Sequence, residues 1–421
     1  MSEGRSTKRP APAAGRRIPA FGAALRRALA RGAVSAALCF VTGCALLPRR
    51  DAPERTVVIT KPAEVPARIL ANFFIVETRQ DDGQMRRFLV DTGSSATLVS
   101  PAFAEAVKVK EKGRFRRLAR VRGAHGAEAE LEAVTLRKLW LGEILVERVP
   151  ALVYEFRELS HHLGLEIDGV VGFPVFRDLL LTLDYPRARL VLAPLPAQPT
   201  VLRTSDRATT IAFNADGGTP LIPVQLGSES FIVLIDTGSY GSLNLNPAGL
   251  HPRFVSGPRP GKIVSGLGSD RQQLVGRLAQ DLFIGGHVVE QPVTDLTDQL
   301  SALGGELLRH FALTFDQRRR HVTFSRDGPG PVVMDSRRDT GLSFDRSPAY
   351  WRVLGLVPET PVARTRLQPG DLCVRINGEP VDKWDYERYA ALLRTAPRIT
   401  YTFLAGAKET DYELPVVELV P

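Results

Sequence analysis

The chain has 421 residues, 44% of them hydrophobic and 24% charged, which is ample for two or three globular cores and excludes disorder along its whole length. Its formal charge of +9 would suit a nucleic acid or an acidic bilayer, but residues 1–43 hold eight Lys or Arg against one Glu, a net of +7, so only +2 is left for the remainder. The body is nearly neutral, and no nucleic-acid partner is implied.

The basic N-terminus runs into GAVSAALCFVTGCALL, an apolar stretch of 16 residues at 32–47. It is short for a membrane span, and a charged flank followed by small residues reads as an export signal. Val41-Thr42-Gly43-Cys44 resembles the bacterial lipobox. That resemblance implies a signal peptide over residues 1–43, a lipidated Cys44 and a body on the periplasmic side of a bacterial envelope, with Ala45 favouring the outer membrane. An uncleaved anchor is the other reading, and it places the body on the same side. The Pro-containing residues 44–66 read as a tether from the membrane. Of the three cysteines, Cys39, Cys44 and Cys373, only the last remains as a free thiol after cleavage, so the mature chain has no structural disulfide. The alternation in DLCVRI makes Cys373 a small buried hydrophobe.

Next comes FLVDTGSS, residues 88–95. An apolar run that reads as a buried strand leads into Asp91 and a turn of small residues. Removing a carboxylate from water costs roughly several kcal/mol without compensation. Asp-Thr-Gly alone is a common turn, so the compensation must be sought elsewhere in the chain. SPAFAEAVKV then has a short helical pattern, and LLLTLDYPRARLVL reads as a hairpin around Pro186.

The chain then repeats itself. LVDTGSSATLV returns as LIDTGSYGSLNL, with Asp236 in the place of Asp91 at an offset of 145. RGAHG at 122–126 matches SGLGS at 265–269, and LWLGEILVERVP matches LFIGGHVVEQPV, both at 143. GVVGFPVFRDLLLTLDYPRARLVL aligns on SALGGELLRHFALTFDQRRRHVTF at 132, with six identities that include Gly172 with Gly304 and Asp184 with Asp316. Four landmarks in one order mark a duplication. PLIPVQLGSESFIVLID, a strand, a turn and a strand ending in Asp236, shows that each copy is mostly β. The copies span about residues 67–195 and 200–328, edged by LAPLPAQP and RDGPGP.

Past a linker near 327–338 the repeat stops. GLSF at 341–344 precedes YWRVLGLVPETPVARTRLQPGDLCVRINGEPV and an amphipathic helix in WDYERYAALLRTA, with Tyr386, Tyr389, Leu392 and Leu393 on one side.

Two copies of apolar-apolar-Asp-Thr-Gly-Ser, each followed by a glycine hairpin and later by apolar-apolar-Gly before a Leu-Thr-apolar-Asp strand, resemble the retropepsin-like and pepsin-like aspartic proteases over about residues 70–325. The resemblance implies a mainly β protein, a bilobal acid-protease-like pair of β-barrels, that hydrolyses polypeptide substrates without a cofactor or metal. Asp91 and Asp236 would be the catalytic pair, sharing one proton because two carboxylates about 3 Å apart repel by roughly 5 kcal/mol at a dielectric near 20. Gly93 and Gly238 would permit close backbone, the hydroxyls of Ser94 and Ser239 would bond the outer carboxylate oxygens, and Thr92 and Thr237 would tie the two loops together. Gly123 and Gly126, with Gly266 and Gly268, would sit in flaps, although the pepsin-like flap tyrosine has no counterpart in RGAHGAEAEL. A degenerate scaffold that binds peptide in the envelope without cutting it is the alternative.

The C-terminal stretch, residues 338–421, resembles a PDZ domain. By that resemblance Gly341, Leu342, Ser343 and Phe344 would receive the carboxylate of a C-terminal peptide ligand, which adds as a strand. Some such domains only dock on their own neighbours.

Other chemistries fare worse. Seven scattered histidines form no HExxH or Cys-His cluster, and His161-His162 reads as a solvated loop pair. VSGLGSDR lacks both the GxSxG elbow and the third glycine of GxGxxG.

Overall fold

Two strands at equivalent positions of the repeat, Leu180–Asp184 and Ala312–Asp316, pair antiparallel with Thr182 opposite Thr314. Their hydroxyls lie 2.9 Å apart. Because these threonines occupy the same position of the repeat, the pairing puts a pseudo-twofold axis between them and makes one long sheet of both halves. The protein is mainly β. This computed structural model describes residues 53–56, 61–108, 117–122, 128–198, 204–205, 207–266, 269–406 and 408–421. The signal segment 1–43, Cys44, and the glycines Gly123, Gly126 and Gly268 lie outside the described residues. Among the described residues no helix is long and apolar enough to cross a membrane.

The tether reading fails for residues 63–66, which begin the strand Ala63–Leu70 and pair with residues 189–192. Proline suggested a linker there, but Val65 is buried in the core. Pro66 sits where the strand has a partner on one side alone, the setting in which a strand accommodates proline.

In the first half, Met85–Asp91 ends on the aspartate and lies parallel to Gly169–Gly172, with Asp91 opposite Gly172. In the second, Glu229–Ile235 lies parallel to Ala302–Leu303, and the Asp236 N–H donates to the Leu303 carbonyl at 2.9 Å. Gly172, which ends the first of these partner strands, and Gly304, which follows the second, are glycine for a steric reason. A Cβ on Gly172 would stand 2.4 Å from the Ala96 carbonyl oxygen, and one on Gly304 would stand 2.3 Å from that of Gly241. Both obstacles are main chain, so only glycine lets the loop after each Asp pass so close.

One apolar core runs through both halves and includes Val90, Val171, Ile235 and Leu303, all fully buried. Burial of each large side chain contributes roughly 1.5–3 kcal/mol, which holds the aspartate strands rigid. The second half has its own ten-stranded sheet, and its edge is the hairpin of Phe254–Gly266 and Ser269–Leu278. The helix foreseen in SPAFAEAVKV is Pro101–Val107, capped by the Ser100 hydroxyl, which accepts from the Phe103 N–H at 3.2 Å.

The C-terminal region has a separate apolar cluster. Its six-stranded sheet begins at the edge strand Leu342–Arg346, followed by Trp351–Leu356. Helix Tyr386–Thr395 starts at Asp385, whose carboxylate accepts from the Arg388 N–H at 2.8 Å. Tyr389 and Leu393 are buried, while Tyr386 and Leu392 are half-buried, as the apolar stripe requires. Cys373 is fully buried, and burial pushes its thiol up to about 12.

Candidate active site

The two Asp-Thr-Gly loops meet across the pseudo-twofold axis through reciprocal hydrogen bonds. The Thr92 N–H donates to Thr237 Oγ1 at 2.9 Å, and the Thr237 N–H donates to Thr92 Oγ1 at 3.2 Å. Each hydroxyl then donates to the opposite strand, Thr92 to the Ile235 carbonyl at 2.6 Å and Thr237 to the Val90 carbonyl at 2.7 Å. Both threonines are fully buried. Four buried bonds with no water competing fix the separation of the residues that precede them.

Those residues are Asp91, fully buried, and Asp236, 4% exposed. A Cβ on Gly93 would lie 2.3 Å from Asp236 Oδ1, and one on Gly238 would lie 2.3 Å from Asp91 Oδ2. Each carboxylate therefore occupies the space that the opposite glycine leaves open, and the two carboxyl groups face each other. Asp91 Oδ1 accepts from the Gly93 N–H at 2.7 Å and from the Ser94 N–H at 3.1 Å. Asp236 Oδ1 accepts from the Gly238 N–H at 3.0 Å.

Asp91 Oδ2 is buried and, among the described residues, meets no N–H or O–H donor. It faces the Asp236 carboxyl, so the only donor available to it within the pair is a proton carried by one of the two acids. Burial, and after it the Asp236 charge, pushes the Asp91 carboxyl well above the usual carboxylate range. Asp236 is also raised, again chiefly by burial, while the N–H groups of Gly238 and Ser239 pull it back. The pair is one coupled acid that retains a proton over a range in which isolated carboxylates have lost theirs.

The serines differ from expectation. The Ser94 hydroxyl donates to the Ala96 carbonyl at 2.7 Å, and Ser94 reaches Asp91 through its N–H instead. A hydroxyl has one proton, and this one is committed to closing the turn. Ser239 Oγ accepts from Asn244 Nδ2 at 3.1 Å. Gly266 ends the strand Phe254–Gly266 at the tip of the second-half hairpin.

Tyr185 escaped the sequence reading. It is buried with its ring edge-on to Phe74 at 5.0 Å, and its hydroxyl has no partner among the described residues. Burial, then the charges of Asp236 and Asp91, drive its pKa far up. The available signal was a break in the repeat: the equivalent position of the second copy holds Gln317, which donates to the Phe173 carbonyl at 2.7 Å.

Residues 341–344 do not present an open anion site. The Gly341 N–H donates to Asp339 Oδ1 at 2.8 Å, and Lys262 donates to Asp339 Oδ2 at 2.7 Å. Ser343 Oγ accepts from the Ile263 N–H at 2.9 Å. A chain-end carboxylate would meet a carboxylate already in place. Leu342, Ser343 and Phe344 are all buried. The His161-His162 pair also departs from expectation, lying in the last turn of helix Arg157–Leu163. The His162 ring tilts against Tyr386 at 5.6 Å, and its pKa is pushed down to about 3, first by burial and then by the charges of Arg346 and Lys262. Among the described residues, no group of three or more His, Cys, Asp or Glu is arranged to hold a metal.

A family model described as aspartyl protease matches residues 76–175. The match covers the strand that delivers Asp91, its loop, and the chain through Gly172. A search of curated proteins finds no match.

Proposed function

We propose that this chain, with an aspartyl protease segment at residues 76–175 and a second copy of its Asp-bearing loop, is an aspartic endopeptidase that uses Asp91 and Asp236 as one acid–base unit. The observation that carries the reading is the buried Asp91 Oδ2, which has no donor among the described residues and faces Asp236 from the other half. Such a pair is stable only while it shares a proton, and a singly protonated pair contains both a base and an acid.

The ionised carboxylate takes a proton from the attacking water as its oxygen bonds to the peptide carbonyl carbon. The protonated carboxyl gives its proton to the carbonyl oxygen. The tetrahedral species then collapses: the carbonyl re-forms, the C–N bond breaks, and the nitrogen leaves with a proton returned from the pair. No bond to the protein forms at any stage. The main-chain N–H groups of Gly93, Ser94 and Gly238 hold the carboxylates by their Oδ1 atoms, so proton transfer requires no reorientation of the acids. Export through residues 1–43 and a lipid at Cys44 belong to the same proposal and place the activity on the outer side of a bacterial membrane.

The test is cleavage of a mixed peptide library between pH 3 and 8 by the wild type, Asp91→Asn and Asp236→Asn. Turnover abolished by either substitution supports the enzyme. Peptide binding without turnover at any pH supports the scaffold instead.

A further inference from the structure

The loop that carries Asp236 is braced in a way that the Asp91 loop is not. It is held by the turn that follows Leu303: the Gly304 N–H donates to the Ser242 carbonyl at 2.7 Å, the Gly305 N–H to the Ser239 carbonyl at 2.7 Å, and the Glu306 N–H to the Gly241 carbonyl at 3.0 Å. The Asp295 carboxylate stands against the same loop, since its Oδ2 would lie 3.2 Å from a Cβ on Gly241. Two acids, Asp295 buried and Glu306 half-buried, therefore flank the segment after Asp236. In the first half the matching positions are uncharged. The offset of 132 pairs Glu306 with Pro174. The strand register places Asp295 opposite Asn244 and Val153 opposite Val99, the counterpart of Asn244 at the offset of 145.

Two carboxylates drawn out of water side by side need a cation. It comes from beyond the repeat. Arg337 Nη1 donates to Asp295 Oδ1 at 2.7 Å, and Nη2 donates to Asp295 Oδ2 at 3.0 Å and to Glu306 Oε2 at 2.8 Å. The planar fork grips one acid with both arms and reaches the other with a third bond, a geometry that a lysine cannot reproduce. Arg277, the nearby cation of the second half, spends its guanidinium on the main-chain carbonyls of Gln291, Met334, Asp335 and Pro421. Its bonds to Met334 and Asp335 fix the chain that enters Arg337. That chain also touches the Asp236 loop directly, because the buried Ser242 hydroxyl donates to Met334 Sδ at 2.9 Å. On its other side Arg337 pairs with Val420, which is fully buried in the main core.

We infer that Arg337 is a positioning residue for Asp236: acting through Glu306 and Asp295, it holds the second acid in register with Asp91, so the C-terminal region is part of the catalytic unit. The inference deepens the peptidase reading and rests on it for its kinetic consequence, whereas the brace itself is measured without turnover. Asp236 must face Asp91 closely enough to share a proton, and a misplacement of about 1 Å in such a pair costs up to roughly a hundredfold in rate. Arg337 lies three bonded steps from the carboxyl, through Glu306, the Gly241 carbonyl and the loop main chain.

The test uses full-length protein carrying Arg337→Met, Asp295→Asn and Glu306→Gln together. Removing the three charges at once strands no buried charge, so the fold is kept, as an unchanged far-ultraviolet circular dichroism spectrum checks. In hydrogen exchange read by mass spectrometry, the amides of residues 237–243 and 304–306 exchange about tenfold or more faster in this variant, while those of the strand Leu180–Asp184 exchange as in the wild type. On peptides that the wild type cleaves, kcat falls about tenfold to a hundredfold and KM stays within about twofold. Arg337→Lys lies between the two proteins in both measurements. Arg68→Met with Glu387→Gln breaks an exposed pair, 2.6 Å apart, between the first half and the same C-terminal region, and it changes neither. Exchange that is unchanged in both segments, or that rises equally throughout the molecule, would overturn the inference, as would a triple variant with the wild-type kcat. A wild type that cleaves no peptide counts against the peptidase reading, and the exchange result then decides the brace by itself.

Discussion

Asp91→Asn tests the shared proton through stability, independently of turnover. Asn keeps an Oδ1 to accept from the Gly93 and Ser94 N–H groups, at 2.7 and 3.1 Å in the native chain, and places an amide where Oδ2 now lacks a donor. In the wild type the folded-state pKa of Asp91 lies well above its ordinary value. The unfolded chain therefore gives up its proton at about pH 3.9 while the folded chain keeps it. A carboxyl raised in this way contributes stability that is fully present below the unfolded pKa and lost as pH climbs toward the folded one, at about 1.4 kcal/mol per pH unit. Asn does not titrate and escapes that loss. The variant should gain on the wild type as pH rises from 4 to 6, by up to about 3 kcal/mol at that slope. Urea unfolding followed by tryptophan fluorescence at several pH values measures the difference. A gap between the two proteins that stays constant from pH 4 to 8, or a variant that loses ground as pH rises, would show that Asp91 carries no shared proton.

Thr92→Val deletes a hydroxyl that bonds both the Ile235 carbonyl and the Thr237 N–H; a stability loss of about 2–4 kcal/mol is expected in denaturant titration, with Thr92→Ser recovering most of it. Arg337 bonds Asp295 at 2.7 and 3.0 Å and Glu306 at 2.8 Å, so Arg337→Ala strands the buried Asp295 and should cost about 3–5 kcal/mol, read as a lower melting temperature. Tyr185→Phe removes a buried hydroxyl that has no partner among the described residues; stability by calorimetry should hold or rise by about 1 kcal/mol, and a fall of that size would reveal a partner for the hydroxyl.

Much of the site could be read along the chain because its chemistry is concentrated in short, contiguous motifs. Asp91 and Asp236 each end an apolar run and enter a turn of small residues, and repetition of that local pattern announced two matching loops. The helix at Pro101–Val107 and the stripe of Tyr389 and Leu393 were likewise legible, since caps and periodicity are properties of neighbours in sequence. Residues 63–66 were misread because proline content cannot tell a tether from a strand with one open side.

What the sequence determined by itself was the duplication, the strand-rich halves and the identity of the two acids. Tertiary structure decided which way the Ser94 hydroxyl turns, that Tyr185 lies buried beside the acid pair, and that Asp339 and Lys262 fill the Gly341 loop. Asp339 and Lys262 are separated by 76 residues of chain, and no local pattern encodes their meeting. A backbone preference acts over a few residues, whereas a hydrogen bond or ion pair between distant segments exists only once packing has brought both groups out of water together.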